Sequence, residues 1–275
     1  MFNLLRFEYR TLFLRKSFFV CLIVLLLPLL LISADVIDVY NKSGYNSSPF
    51  TILQMMMTFS NVSVLVLIFT SIFGCENYIN GTAKVIYAKG YSRTQIFFAK
   101  FIASATAAII FFLVAITFGL VIGYSFGDPK ADEVTSIIAG TSSKPEMWVY
   151  ILHLFTQIMA LHAFYFMIAE LLRRTGVSIV IDFFLPTMIL TLFFLFQTIL
   201  KSIFKDNQEI CDKIGEAYEK FMMYWLPTSS TSIIGSIFSG FDSIDYTVGM
   251  IVNIGYVILF GGLAWLLVAK KQITN

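Results

Sequence analysis

Charge is what this sequence has least of: Asp, Glu, Lys and Arg make up 13% of its 275 residues, about half the share usual in a water-soluble domain. That scarcity excludes a water-facing surface over most of the chain. Histidine occurs twice and cysteine three times. Cys21, Cys75 and Cys211 fall in a predicted span, at a predicted membrane boundary and in a predicted loop, so neither a disulfide framework nor a metal spacing follows. His153 and His162 are nine positions apart on one predicted helix, which turns them about 180° from each other. One metal is not held by both, and each reads as a hydrogen-bonded packing residue. There is no GxxxxGK[ST] phosphate loop, no HExxH and no GxSxG, so an enzyme reading has no residues to rest on. A formal charge of +2 implies nothing about nucleic acid. The first apolar run leads into Asp35 without a small-x-small cleavage site, so it reads as a retained anchor and not a signal peptide. No internal repeat is visible.

What is present is apolar surface. Hydrophobic residues make up 58% of the chain and the mean hydropathy is +0.81. Runs long enough to cross a hydrocarbon core of about 30 Å recur along its whole length. Spans are predicted at Ser17 to Ile37, Thr51 to Cys75, Thr94 to Tyr124, Met147 to Ala169, Val177 to Leu200 and Tyr246 to Val268. Six spans put both termini on one side, and the loop charges say which. Arg6, Arg10, Arg15, Lys16, Lys84, Lys89, Arg93, Lys100, Arg173, Arg174, Lys270 and Lys271 gather on the terminal side, against three acids there, Glu8, Glu76 and Glu170. Asp128, Asp132, Glu133 and Glu146 lie on the other side. The expectation is an all-α integral membrane protein, a single domain over residues 1–275 with about six transmembrane helices and cytoplasmic N and C termini.

Two amphipathic segments flank the spans. Phe2, Leu5, Tyr9, Leu12 and Phe13 recur at helical spacing with Arg6, Arg10 and Arg15 off that stripe, which predicts an N-terminal interfacial helix over residues 1–16 on the inner leaflet. Leu4 and Phe7 interrupt its polar face. In the outer segment 201–245, Asp206 with Glu209 three residues on matches a capping box. Behind it Ile210, Ile214, Ala217, Tyr218, Phe221 and Trp225 form an apolar face opposite Asp212, Lys213, Glu216, Glu219 and Lys220. This predicts an outer amphipathic helix before the last span. Pro227 and the run Thr228 to Ser232 end it, Gly240 and Asp242 mark a further turn, and Ile233 to Phe241 is too short to cross, which suits a small re-entrant or surface helix.

Polar residues inside the spans need partners. A carboxylate such as Asp182 costs at least a few kcal/mol in hydrocarbon unless it is paired or hydrated. Two readings stand: a structural ion pair near the cytoplasmic face, with Arg173 or Arg174 two turns away, and a place in a water-filled path. Gln157, Gln197, Asn61, Asn253 and His162 read as packing residues that hydrogen-bond between helices. Pro186 permits a kink in the fifth span. Gly255, Gly261 and Gly262 permit close helix approach in the last, either within the chain or at a subunit interface.

The loop between the second and third spans is the most informative stretch. Asn80-Gly81 ends the second span, Thr82 is placed to cap a short helix running to Lys89, and Gly90 is placed to end it in the left-handed conformation. Ser92 with Gln95 forms a capping box that opens the third span. A two-turn helix held crosswise, with Val85, Ile86 and Tyr87 beside Lys84 and Lys89, is either a grip for another protein or an ordinary basic loop.

In Glu76, Gly81-Thr82, Lys84, Gly90, Ser92-Arg93 and Lys100 the sequence resembles the permease subunits of type-2 ABC exporters, in particular the bacterial group linked to bacitracin and lantibiotic resistance or immunity. The likeness as a motif is confined to residues 76–100; as an architecture it takes in the N-terminal helix followed by Arg15-Lys16, the six spans and the outer helical segment. The outer helix Asp206 to Trp225 is longer than the family plan. The resemblance implies that loop 76–93 is a coupling helix docking on a separate ATP-binding subunit through Lys84 to Gly90, with the loop Glu170 to Gly176, including Arg173 and Arg174, as a second contact. It implies that Glu76 and Arg93 anchor the ends of that helix by pairing with each other or with the partner. It also implies a second permease subunit, in a homo- or heterodimer, and ATP with Mg on the partner, with no cofactor in this chain. The Phe-rich spans suit an amphipathic peptide, antibiotic or lipid-like cargo. The abundance of Phe, Ile, Lys and Asn suits the plasma membrane of a low-GC bacterium. Two other classes fit the same sequence: an ion-coupled carrier working through Asp182, His162 and Glu170, and a membrane immunity protein that transports nothing.

Overall fold

The computed structural model describes residues 2–43, 48–127, 147–205, 207–224 and 246–270. Every regular element in them is a helix: α1 (Phe2–Leu14), α2 (Lys16–Ser43), α3 (Pro49–Phe59), α4 (Val62–Ile79), α5 (Thr82–Ala88), α6 (Arg93–Phe126), α7 (Met147–Leu172), α8 (Thr175–Ile203), α9 (Gln208–Tyr224) and α10 (Tyr246–Lys270). Five stretches are long and apolar enough to cross a membrane: Lys16–Asp38, Pro49–Ile79, Arg93–Phe126, Met147–Leu172 and Tyr246–Lys270. Helix α8 has 29 residues with apolar halves Thr175–Leu185 and Thr191–Ile203. The chain is a multi-span helical membrane protein.

Helices α4, α6 and α7 form the centre. Helix α10 lies along α7, α2 packs on α3, α4 and α6, and α8 packs on α4 and α7. The core between them is aromatic: Phe18, Phe69 and Phe111 meet ring to ring, with Phe73 stacked on Phe69. Close approach on α6 comes from small residues, Ala99, Ala103, Ala107, Ala108 and Ala115, all buried, which let backbones approach and gain dispersion contact where lipid offers no hydrophobic drive. At its far end a Cβ on Gly123 would lie 2.9 Å from the Pro49 carbonyl oxygen, so α3 rests directly on the α6 backbone there. Outward, α2 and α8 expose Ile23, Leu27, Leu31, Phe183, Phe184 and Phe196, a surface that only lipid or another apolar chain can cover.

Four sequence expectations need correction. The second predicted span, Thr51 to Cys75, lies within the apolar stretch Pro49–Ile79 but is built of two helices: Asn61 takes a left-handed φ of 52° between α3 and α4, so the helix breaks where a residue packing within one was expected. Asparagine is one of the few residues to adopt that conformation at modest cost. The buried face of α1 is Leu4, Glu8 and Leu12, while Phe2 is 88% exposed. Its orientation is set by protein, since Leu4 packs with Ile86, Ile96 and Ala99, and Leu4, which interrupts the polar stripe, is the anchor. Helix α9 is capped by Asn207, whose Oδ1 accepts from the Ile210 amide at 3.3 Å; Asp206, the expected cap, lies outside the described residues. Gly255 and Gly262 meet nothing within 4 Å and Gly261 only the tip of Phe101 at 3.9 Å, so of the two readings of these glycines it is close approach within the chain that is corrected. The glycine that brings α10 against α7 is Gly249, whose added Cβ would lie 2.5 Å from the His153 ring. Trp225, Pro227, Thr228 to Ser232, Ile233 to Phe241 and Asp242 also lie outside the described residues.

Candidate functional site

At one end of the bundle the chain forms its predicted short helix, and the local chemistry accounts for it. Asn80 closes α4, Gly81 follows at φ +66° and Gly90 stands at φ +83° beyond α5, conformations that a residue with a Cβ takes only with strain. The Ser92 hydroxyl accepts from the Gln95 amide at 3.3 Å and the Gln95 side chain accepts from the Ser92 amide at 3.1 Å, the reciprocal box that starts α6. Thr82 has a different task from the one expected. It is the first residue of the helix, and its hydroxyl donates to Asn77 Oδ1 at 3.1 Å, tying α5 to the end of α4. Ile86 is also turned inward, buried against Leu4 and Ile96. The outward face of α5 is therefore Val85 with Ala88, Lys89 and Gly90. The Lys84 side chain lies outside the described residues.

Behind α5 lies a polar network that the sequence barely announces. Lys100, 2% exposed, sits about 10 Å into α6 from its start and donates to the Phe73 and Gly74 carbonyls of α4, each at 2.8 Å. Glu170 and then Glu8 are the acids that act on it most strongly. Tyr78 donates to Glu170 Oε2 at 2.6 Å, and the Arg173 guanidinium lies 4.4 Å from the centre of the Tyr78 ring. Asn77 donates to Glu8 Oε1 at 3.4 Å. Glu76 pairs with Arg15, whose guanidinium also lies over the Phe73 ring at 5.0 Å. The partner of Glu76 thus comes from the α1–α2 junction. Tyr87, Lys100 and Glu170 line a small cleft with Asn77, Tyr78 and Val268. Burial, and after it the charge of Glu170, pushes the Tyr87 phenol up, so it stays a neutral donor.

Helices α1, α4, α6 and α7 are joined here by charge-assisted contacts in a buried setting, with α5 tied on through Thr82; such groups are strong if satisfied and costly if not. The turn from α7 to α8 completes it: Arg173 takes φ 55° and Arg174 is extended ahead of α8. Sequence reading found Glu76, Lys100, Glu170 and Arg173 singly. It missed Glu8, Asn77 and Tyr78, for which the available signals were a single acid in a basic N-terminal helix and two polar residues closing an apolar span.

Glu8 yields a pH prediction. Burial raises its carboxyl above the ordinary value of 4.5, against the lowering pull of Lys100, Asn77 and Arg15. Because the folded state binds this proton more tightly than the unfolded one, Glu8 subtracts stability as pH rises from its unfolded value through its folded one. Glu8→Gln keeps an Oε1 acceptor for Asn77. It is expected to match or exceed wild type in thermal midpoint at about pH 8 and to lose less between about pH 5 and pH 8; a variant clearly less stable at the higher pH contradicts this.

Deeper in the bundle the intramembrane polar residues serve as ties. His162 shares a 2.8 Å hydrogen bond with Ser104 of α6, and Asn253 of α10 donates to Thr156 of α7 at 3.4 Å. Gln157 is buried and Gln197 half-buried. Asp182 is met by serines and not by arginine: Ser71 of α4 donates to Oδ2 at 2.6 Å and Ser178 at 3.3 Å. No protein-family model matches this sequence and no curated protein matches it significantly; by the length and composition of its helices the chain is a multi-span helical membrane protein.

Proposed function

We propose that the chain is the transmembrane subunit of an ATP-driven exporter, in which a separate ATP-binding subunit grips α5 and drives the helix bundle. The observation that carries this reading is α5 itself. It is a two-turn helix isolated between two left-handed glycines and fastened at its base to α4 through Thr82 and to α1 and α6 through Ile86. A force on its outward face is passed to three other helices because the network around Lys100 leaves little slack. In this reading α8 is the sixth span, since 29 residues reach about 43 Å at 1.5 Å per residue. The Arg- and Lys-rich end faces the cytoplasm, and α1 lies at the inner leaflet with its exposed Arg6 and Arg10 near anionic headgroups. ATP and Mg belong to the partner. A second permease subunit completes the pathway in the plasma membrane, and the cargo is an amphipathic peptide, antibiotic or lipid-like molecule. Nucleotide-driven closure of the partner shifts the bundle between inward and outward arrangements.

The test is recovery of the tagged chain from native membranes, with wild type compared against Lys84→Glu, Lys89→Glu and Arg93→Glu. An ATPase with a phosphate-loop motif is expected to co-purify with wild type and to be lost from the charge-reversed variants. Wild type that purifies monodisperse without any ATPase overturns the proposal and turns attention to a carrier or an immunity protein.

A further inference from the structure

The contact between α4 and α8 holds an acid that the network above does not use. Asp182 is 1% exposed, and Ser71 and Ser178, which meet it, are both fully buried. Both hydroxyls converge on one oxygen, Oδ2. The other, Oδ1, is buried and has no hydrogen-bond partner. No ion pair reaches the carboxyl among the described residues, because the nearby cations are committed elsewhere: Lys100 to the Phe73 and Gly74 carbonyls and Arg173 to the Tyr78 ring. The titratable groups that feel the charge of Asp182 are the Cys75 thiol of α4 and the Tyr165 phenol of α7, and neither can supply positive charge. Neither neighbouring helix supplies a positive charge to stabilise a carboxylate, and hydrocarbon is the worst medium for an unpaired one.

The two carboxyl oxygens are therefore unlike in the way that the oxygens of a neutral acid are unlike. A carbonyl oxygen accepts hydrogen bonds, as Oδ2 does twice. The other oxygen carries the proton. We infer that Asp182 is a proton-binding site at the α4–α8 contact, occupied at neutral pH, with the proton on Oδ1. Uptake forms one O–H bond with a proton from water, and release leaves a carboxylate in an apolar seam. The site does not depend on the transport reading, since an exporter, a carrier or an immunity protein would each hold it in the same way.

Carbon-13 labelling of the nine aspartates in the full chain, embedded in lipid nanodiscs, tests this directly. At pH 7 an ordinary aspartic acid is protonated to roughly one part in a thousand. One carboxyl signal is expected at the neutral-acid position in wild type, missing from Asp182→Asn and shifted in Ser71→Ala. The asparagine resembles the neutral acid in size and charge, and the serine variant assigns the signal should Asp182→Asn assemble poorly. All nine signals at the carboxylate position in folded wild type overturn the proposal, as does a neutral-acid signal that survives in Asp182→Asn.

Discussion

Lys100→Met is expected to be the most damaging single substitution in the polar network, lowering stability by about 3–5 kcal/mol, the usual result of removing one partner from a buried charge arrangement. The methionine keeps most of the aliphatic stem, so the loss does not come from packing. Nor does it come mainly from the Phe73 and Gly74 carbonyls, which lie inside α4 and keep their helical amide donors. It comes from the acids. Glu170, 2% exposed, would face Tyr78 without the ammonium that acts on it from α6. The effect should therefore be non-additive: Lys100→Met combined with Glu170→Gln should lose clearly less than the sum of the two single variants. Thermal midpoints and the monodisperse fraction in detergent provide the check. A Lys100→Met chain as stable as wild type, or strict additivity with Glu170→Gln, would show that the cation is not balancing Glu170.

The same residues show what a sequence can and cannot reveal. Gly81, Gly90 and the Ser92–Gln95 box were readable because each is a local arrangement, fixed by a backbone conformation or by two side chains three residues apart. The span limits at Met147 and Tyr246 were readable from where apolar runs meet polar residues. Partners across the fold were not. Ser71 and Asp182 are separated by 111 positions, and nothing in either neighbourhood points to the other, so the nearby Arg173 and Arg174 were the natural guess. The same applies to Glu76, whose partner Arg15 comes from a different helix junction. The break at Asn61 escaped because hydropathy runs on unchanged through both sides of it. The buried face of α1 escaped because a helix with apolar residues on more than one side has its orientation chosen by its neighbours, here Ile86 and Ile96.

The crossing of α4 and α7 offers a sharper test of the packing. A Cβ on Gly74 would lie 2.8 Å from the Cβ of Ala169, closer than two carbons can approach, so Gly74→Ala must push α4 and α7 apart. Forcing a methyl group into a packed interior costs about 1–3 kcal/mol, whereas alanine gains up to about 1 kcal/mol over glycine within a helix. The clash wins, and the substitution should destabilise. One turn further along α4 is Tyr78, and next to Ala169 is Glu170, so the same displacement stretches the 2.6 Å hydrogen bond between them. Ala169→Gly introduced alongside Gly74→Ala returns the missing space and leaves one alanine and one glycine at the crossing, with propensity conserved over the pair. Most of the lost thermal stability should return in the double variant. A Gly74→Ala chain as stable as wild type, or a double variant worse than both singles, would show that α4 and α7 do not meet at this pair of residues. Recovery would fix their separation at the crossing that also positions the Tyr78–Glu170 tie behind α5.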